Sequence, residues 1–161
     1  MADILVGIGD IGASRKPGDI IVTMALGSCV AIVAHDPKSG ATGMVHIALP
    51  GNPNDANRTQ PVGYYADTAV PALIAEMERQ GGPLHGRGLI IKLVGGATIL
   101  DLVGSFNIGK RNVLAIKRGL WRYGLGPIAE DIGGNISRTV RVAAGTANVR
   151  ISTPGRPEWN L

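Results

Sequence analysis

The chain is poor in sulfur, aromatic rings and charge, and each scarcity closes off a class of protein. Its one cysteine, Cys29, rules out an internal disulfide and a cysteine-based zinc site. A reduced, cytoplasmic setting is the expectation. Aromatic residues make up 4% of the chain, so a core must be assembled from Val, Ile, Leu and Ala. Charged residues reach only 17%, against roughly 25% in ordinary globular chains, and 45% are hydrophobic, which argues against disorder. The longest apolar run, Ile20 to Ala34, falls short of the ~18 residues a membrane span needs and contains Gly27 and Ser28. The opening Met-Ala-Asp-Ile has neither the basic nor the apolar stretch of a signal peptide. No membrane insertion is expected, so the sequons at Asn57 and Asn135 carry no weight.

Long runs of one charge are also missing. The net charge of +4 is nonetheless uneven: residues 1–80 hold 5 Lys/Arg against 8 Asp/Glu, and residues 81–161 hold 11 against 4. A basic half calls for an acidic partner surface. No Lys/Arg run is interleaved with aromatics, so nucleic acid is not the expected partner. No His/Asp/Glu cluster has metal-ligand spacing, and no metal or cofactor is expected. Gly7-Ile-Gly9-Asp-Ile-Gly12 is formally a GxGxxG motif, but Pro17-Gly18 follows where a dinucleotide fold needs a helix. Gly95-Gly96 and Gly133-Gly134 lack the lysine ending of a phosphate loop and read as turns; Glu130-Asp131 is an isolated acidic pair.

Glycine and proline, by contrast, are plentiful: 24 and 10 residues imply many tight turns. Apolar, β-branched runs read as strands near Ile4–Ile8, Ile20–Ala25, Val30–His35, Gly43–Ala48, Leu89–Val94, Val140–Ala144 and Val149–Ser152, with a short one possible at Ile128–Glu130. Val70, Leu73, Ile74 and Met77 recur at helical spacing, with Asp67 as the N-cap and Gly81-Gly82 as the stop. Pro71 is tolerable there only near the first turn. A second helix spans roughly Gly109–Tyr123, apolar at Val113, Ile116 and Leu120, basic at Lys110, Arg111, Lys117, Arg118 and Arg122. Strands at both ends with helices between them indicate one α+β domain over 1–161, with 154–161 as a loose tail. Pro50–Gly63 is a long polar loop of the kind that is often functional.

A lone cysteine in an apolar strand is commonly a small buried hydrophobe. Geometry gives this one another reading. Asp36-Pro-Lys-Ser-Gly40 is a turn joining two strand-like runs, so an antiparallel hairpin follows. If Ala34 pairs with Ala41, Cys29 falls directly opposite His46, on the same sheet face. A slip of one residue would separate them. A thiol so placed is a candidate nucleophile, with the imidazole lowering its pKa and later protonating a leaving amine. Thr23 is a candidate to orient the ring, and Gly27 and Ser28 let the backbone bend so that amides can face an oxyanion. His35 and His85 compete as bases; His35 is too far along its strand, and His85 sits in a Gly/Pro-rich turn.

Six stretches carry a resemblance: Thr23-Met-Ala-Leu-Gly-Ser-Cys-Val30, Met44-Val-His-Ile-Ala-Leu-Pro50, Tyr65-Ala-Asp-Thr-Ala69, Lys92-Leu-Val-Gly-Gly-Ala97, Asn107-Ile-Gly-Lys-Arg-Asn112 and Ala129-Glu-Asp-Ile-Gly-Gly-Asn135. In order and spacing they resemble the CheD family of chemoreceptor glutamine deamidases. The resemblance implies a layered β-sandwich with flanking helices, similar to deamidating toxins of the cytotoxic necrotizing factor type. It implies hydrolysis of receptor glutamines to glutamate through a thioester, with Cys29 as nucleophile, His46 as base and Thr23 orienting the ring. Methyl-accepting chemotaxis receptors are then the substrate, and a CheC-type phosphatase is a further partner. Its charge makes the basic helix a candidate docking face for receptors, with an ordinary solvated helix face as the alternative. A non-catalytic adaptor for receptors or such a phosphatase is the alternative, and a protease or transamidating enzyme would share the acyl-thiol chemistry.

Overall fold

The computed structural model describes residues 1–51, 59–99 and 107–161. Its strands are β1 (Asp3–Leu5), β2 (Ile11–Ser14), β3 (Ile20–Leu26), β4 (Val30–His35), β5 (Thr42–Ile47), β6 (Ile90–Gly95), β7 (Ala129–Ile132), β8 (Arg138–Ala143), β9 (Val149–Ser152) and β10 (Trp159–Asn160). Helix α1 (Ala66–Arg79) lies between β5 and β6, and α2 (Ile108–Trp121) between β6 and β7. Two five-stranded sheets result, ordered β1-β3-β8-β9-β10 and β2-β5-β4-β6-β7. The β1–β3 and β6–β7 pairs are parallel and the others antiparallel.

Two hydrophobic clusters define three layers. Ala31, Val33 and Met44 of the second sheet pack on Ile21, Val140, Val142 and Ile151 of the first. Val30, Ile32, Ala34, Val45 and Ile47, on the other face of β4 and β5, pack on Val70, Leu73 and Met77 of α1 and Ile116 and Leu120 of α2. Every residue of β4 and β5 is therefore buried. A strand covered on both faces reads as a continuous apolar run, as Val30–His35 does. The architecture is an α+β layered sandwich, as the strand-and-helix pattern predicts.

Four details differ from the sequence reading. The segment after Gly9 is a strand, β2, too short and polar to register as an apolar run; it pairs with β5. Tyr65 caps α1, and Asp67 is an acidic residue of its first turn. Pro71 lies inside the helix, which continues through it. The 154–161 tail is not loose. β10 pairs with β9, Trp159 donates to Asp131 Oδ2 at 2.6 Å, and Lys92 Nζ donates to the Leu161 carbonyl oxygen at 2.6 Å.

Candidate active site

His46 belongs to the inter-sheet core, 3% exposed. Its backbone is fixed by the turn within the GxGxxG stretch: Gly9 N–H donates to the His46 carbonyl at 2.8 Å, and His46 N–H donates to that of Asp10 at 3.3 Å. Gly9 has φ +83°, so the turn needs glycine, and the chain runs on into β2 instead of a helix. The imidazole reaches across to the other sheet, where Thr23 Oγ1 lies 2.7 Å from Nδ1. That hydroxyl is also 2.6 Å from the Val6 carbonyl oxygen, which can only accept. Its single proton goes to Val6, so it accepts from Nδ1–H. The tautomer is thereby set, and Nε2 carries the lone pair. Nε2 is buried and has no hydrogen-bond partner among the described residues.

Thr23 faces the ring because it shares the inter-sheet face of β3 with Ile21, and β3 breaks register just beyond it. Thr23 opposes Val140 and Leu26 opposes Arg138, a bulge at Met24 and Ala25. Ala25 takes φ +57°, a costly conformation for a residue with a side chain.

Cys29 lies one residue before β4, half-buried, against the same inter-sheet cluster that holds Ala31 and Met44. The expected register is corrected here. Ala31, not Cys29, pairs with His46, and His35 pairs with Thr42. The Asp36 carboxylate accepts from the Lys38 and Ser39 amides, and Asp36 N–H donates to the Ala41 carbonyl, which closes the turn over residues 37–40. The ladder thus shifts by two residues, which preserves the face. Cys29 is diagonal to His46 instead of opposite it, and no hydrogen bond joins them.

Burial sets the protonation of both groups. Desolvation pushes the Cys29 thiol above its ordinary range, only partly offset by its own backbone amide. Desolvation likewise lowers the His46 pKa, opposed by the negative charge of Asp10. The expectation of a thiol pKa depressed by its histidine is therefore reversed: thiol and imidazole are both neutral near pH 7. The arrangement suits a general base acting as the thiol attacks, not a pre-formed ion pair.

The Gly27–Cys29 bend is held carbonyl by carbonyl. Ala97 N–H donates to Gly27 O at 2.9 Å, Gly96 N–H to Cys29 O at 2.8 Å, and the Asn112 amide to Ser28 O at 2.9 Å. A Cβ on Gly95 would strike the Cys29 carbonyl oxygen, so the close crossing of β6 needs glycine. A cavity of about 250 Å³ opens beside Ser28, lined also by Thr98, Ile99 and Gly109.

Comparison with known proteins matches this frame. The model of the CheD chemotactic sensory transduction family matches residues 48–153. The chain belongs to the CheD family. A probable chemoreceptor glutamine deamidase CheD of Syntrophotalea carbinolica is 48% identical over 162 residues, covering 100% of both chains. The chemoreceptor glutamine deamidase CheD of Thermotoga maritima is 38% identical over 154 residues, covering 96% of this chain and 94% of its own. The family match begins after His46 and so does not include Thr23, Cys29 or His46.

The remaining candidates fall elsewhere. His35 is buried at the far end of β4, 2.9 Å from Thr42 Oγ1, and His85 is exposed in a short turn after α1. A groove lined by Asp36, Ser39, His85 and Arg122 among others lies at that same end of the hairpin, away from His46. On α2, Lys110, Arg111, Arg118 and Arg122 are exposed, whereas Lys117 is engaged by Glu130 at 2.6 Å. Part of the Pro50–Gly63 loop, including Asn57, lies outside the described residues. Among the described residues no helix is long and apolar enough to cross a membrane, and no acidic, His or Cys cluster is placed to hold a metal. Sequence reasoning did not single out Asn112. Its signal was a polar residue on the buried stripe of α2, between Gly109 and Ile116.

Proposed function

We propose that this protein deamidates glutamine side chains of chemoreceptors, with Cys29 as nucleophile and His46 as base. The observation that carries the reading is the Val6–Thr23–His46 relay, which leaves Nε2 unprotonated and unpartnered in a core shared with the only thiol. The names of the full-length relatives supply the substrate class.

In this mechanism Nε2 takes the Cys29 proton as sulfur attacks the carboxamide carbon. The tetrahedral oxyanion faces the backbone amides of Ser28 and Cys29. Collapse expels ammonia, which takes the proton from the imidazolium, and leaves a thioester. Water then attacks, giving its proton to Nε2, and the tetrahedral intermediate releases glutamate and the thiol. Water is the only co-reactant, so no cofactor is called for. This reading assigns the protein to the cytoplasm, where a free thiol stays reduced. The exposed cations of α2, a helix without an acidic residue, are the proposed docking face for an acidic stretch of receptor.

Mass spectrometry of receptor cytoplasmic fragments tests the function. Wild-type protein should add about 1 Da at particular glutamines, and Cys29→Ala and His46→Ala should not. Well-folded wild type that leaves a range of receptor fragments unchanged would reject the reading.

A further inference from the structure

Three successive carbonyls around the thiol are held, but not by the same means. Those of Gly27 and Cys29 accept from backbone amides, Ala97 and Gly96, which any side chains at those positions would supply. The Ser28 carbonyl accepts from a side chain, the Nδ2 group of Asn112, at 2.9 Å. The second Nδ2 proton goes to Ala48 O at 3.0 Å. The β4–β5 ladder ends at the pair Val30 and Ile47, so Cys29 and Ala48 would be next. Asn112 therefore bridges the strands where they part, next to Cys29 and two residues beyond His46.

The Ser28 carbonyl and the Cys29 N–H belong to one planar trans peptide unit and point in opposite directions. Anchoring that carbonyl on α2 turns the Cys29 amide away from the helix. Among the described residues this N–H donates to no other residue; it acts on its own thiol. Among the described residues no other acceptor competes for this donor, which lies beside the nucleophile and can serve an oxyanion on the attacked carbon.

The anchor is rigid. A Cβ on Gly109 would strike the Gly96 carbonyl oxygen, so the first turn of α2 sits directly on the segment that also holds Cys29. Asn112 is 0% exposed, and reversing its amide would set Oδ1 against two carbonyl oxygens. Its Oδ1 has no partner among the described residues, an unfavourable state that a leucine of similar volume would avoid. The gain from this side chain lies in its two donors.

We infer that Asn112 is a positioning residue that aims the Cys29 amide at the reaction's oxyanion by holding the Ser28 carbonyl. The inference rests on the deamidase reading above. It predicts a loss in the chemical step that leaves both binding and the thiol's own reactivity in place.

The test compares wild type with Asn112→Asp and Asn112→Leu on a receptor cytoplasmic fragment, alongside alkylation of Cys29 by iodoacetamide, which forms no oxyanion. Per folded molecule, kcat should fall by about 100-fold, the scale of one lost oxyanion donor, with KM and the alkylation rate within about threefold of wild type. A kcat within about threefold of wild type would overturn the inference. So would a parallel fall in kcat and alkylation, or the failure of both variants to fold; each makes Asn112 a general support of the site. A wild type no more active than Cys29→Ala would instead remove the deamidase reading itself, and this inference with it.

Discussion

The Thr23 hydroxyl and the His46 imidazole meet at 2.7 Å across the interface of the two sheets, beside the apolar cluster of Ala31, Val33 and Met44. Both are almost fully buried, Thr23 at 1% and His46 at 3% exposure. A polar contact in such a setting is worth more than at the surface, and costly to leave half made. Here it selects one imidazole tautomer.

Removing that selection should impair turnover more than folding. Thr23→Val, nearly the same shape, should lower kcat by about 10- to 100-fold, or about 1.4–2.7 kcal/mol, whereas Thr23→Ser should retain most of it. Nitrogen NMR of His46 should show the tautomer mixture shift in the valine variant. A kcat for Thr23→Val within about twofold of wild type would show that tautomer control is not needed.

The pH profile should be a broad plateau. Attack needs a neutral imidazole and a thiol that still carries its proton to hand over. Burial holds His46 below its ordinary 6.5, so the acid limb of kcat/KM should fall below that value. Burial lifts the Cys29 thiol, so any alkaline limb should lie above about 8.5, the usual thiol value. Alkylation of the free protein should accordingly rise only above about 8.5; a midpoint near 6 would indicate a thiolate–imidazolium pair and contradict the neutral resting state.

Stability should fall on mild acidification. His46 and His35 are both held below 6.5 by burial in the folded chain. Below 6.5 the unfolded chain therefore binds more protons, and stability drops as pH falls from 6.5 through the two lowered values. Asp19, held below its ordinary 3.8 by the Ser14 hydroxyl, contributes only at lower pH still. Urea midpoints at pH 7.5 and 5.5 check this; equal midpoints would contradict the burial of neutral imidazoles.

Most of the sandwich was legible in the sequence, because β4 and β6 are apolar enough to mark their limits to within a residue, whereas β8 begins at Arg138, two residues before its apolar run. The pieces that were not are those whose reason to exist is a partner. β2 carries Gly12 and Ser14 and becomes a strand only because β5 offers an edge. Trp159 follows two prolines, and nothing local says that its indole will find Asp131. The hairpin register turned on the Asp36 carboxylate, which shapes the turn by hydrogen bonds that no apolar pattern reveals. The candidate site could be approached only through residue types, since a lone cysteine, a histidine and a threonine stand out in apolar runs. Protonation was not legible, because it depends on burial that only the assembled layers create.

Gly95→Ala should disturb the Cys29 segment directly. The added methyl would fall on the Cys29 carbonyl oxygen, at a φ of +118° that side chains rarely adopt. A cost of about 2–4 kcal/mol and loss of turnover are expected, read by thermal melting and by deamidation of receptor fragments. A variant of wild-type stability would show that β6 and Cys29 can separate without penalty.

Trp159→Ala should cost about 2 kcal/mol by removing a partly buried ring and its bond to Asp131, which also accepts from Arg138 at 2.9 Å. The denaturant midpoint should shift while kcat per folded molecule stays put, because the tail lies against β9. An unchanged midpoint would return the tail to a loose appendage.

The most direct measurement is of the covalent intermediate. Receptor fragment and enzyme would be mixed, quenched in acid within a single turnover, and the intact mass taken. The account predicts a species equal to the two masses less one ammonia, with the added mass on the peptide that carries Cys29 and absent from Cys29→Ala. Deamidated receptor that accumulates without such a species, and still accumulates with Cys29→Ala, would contradict it.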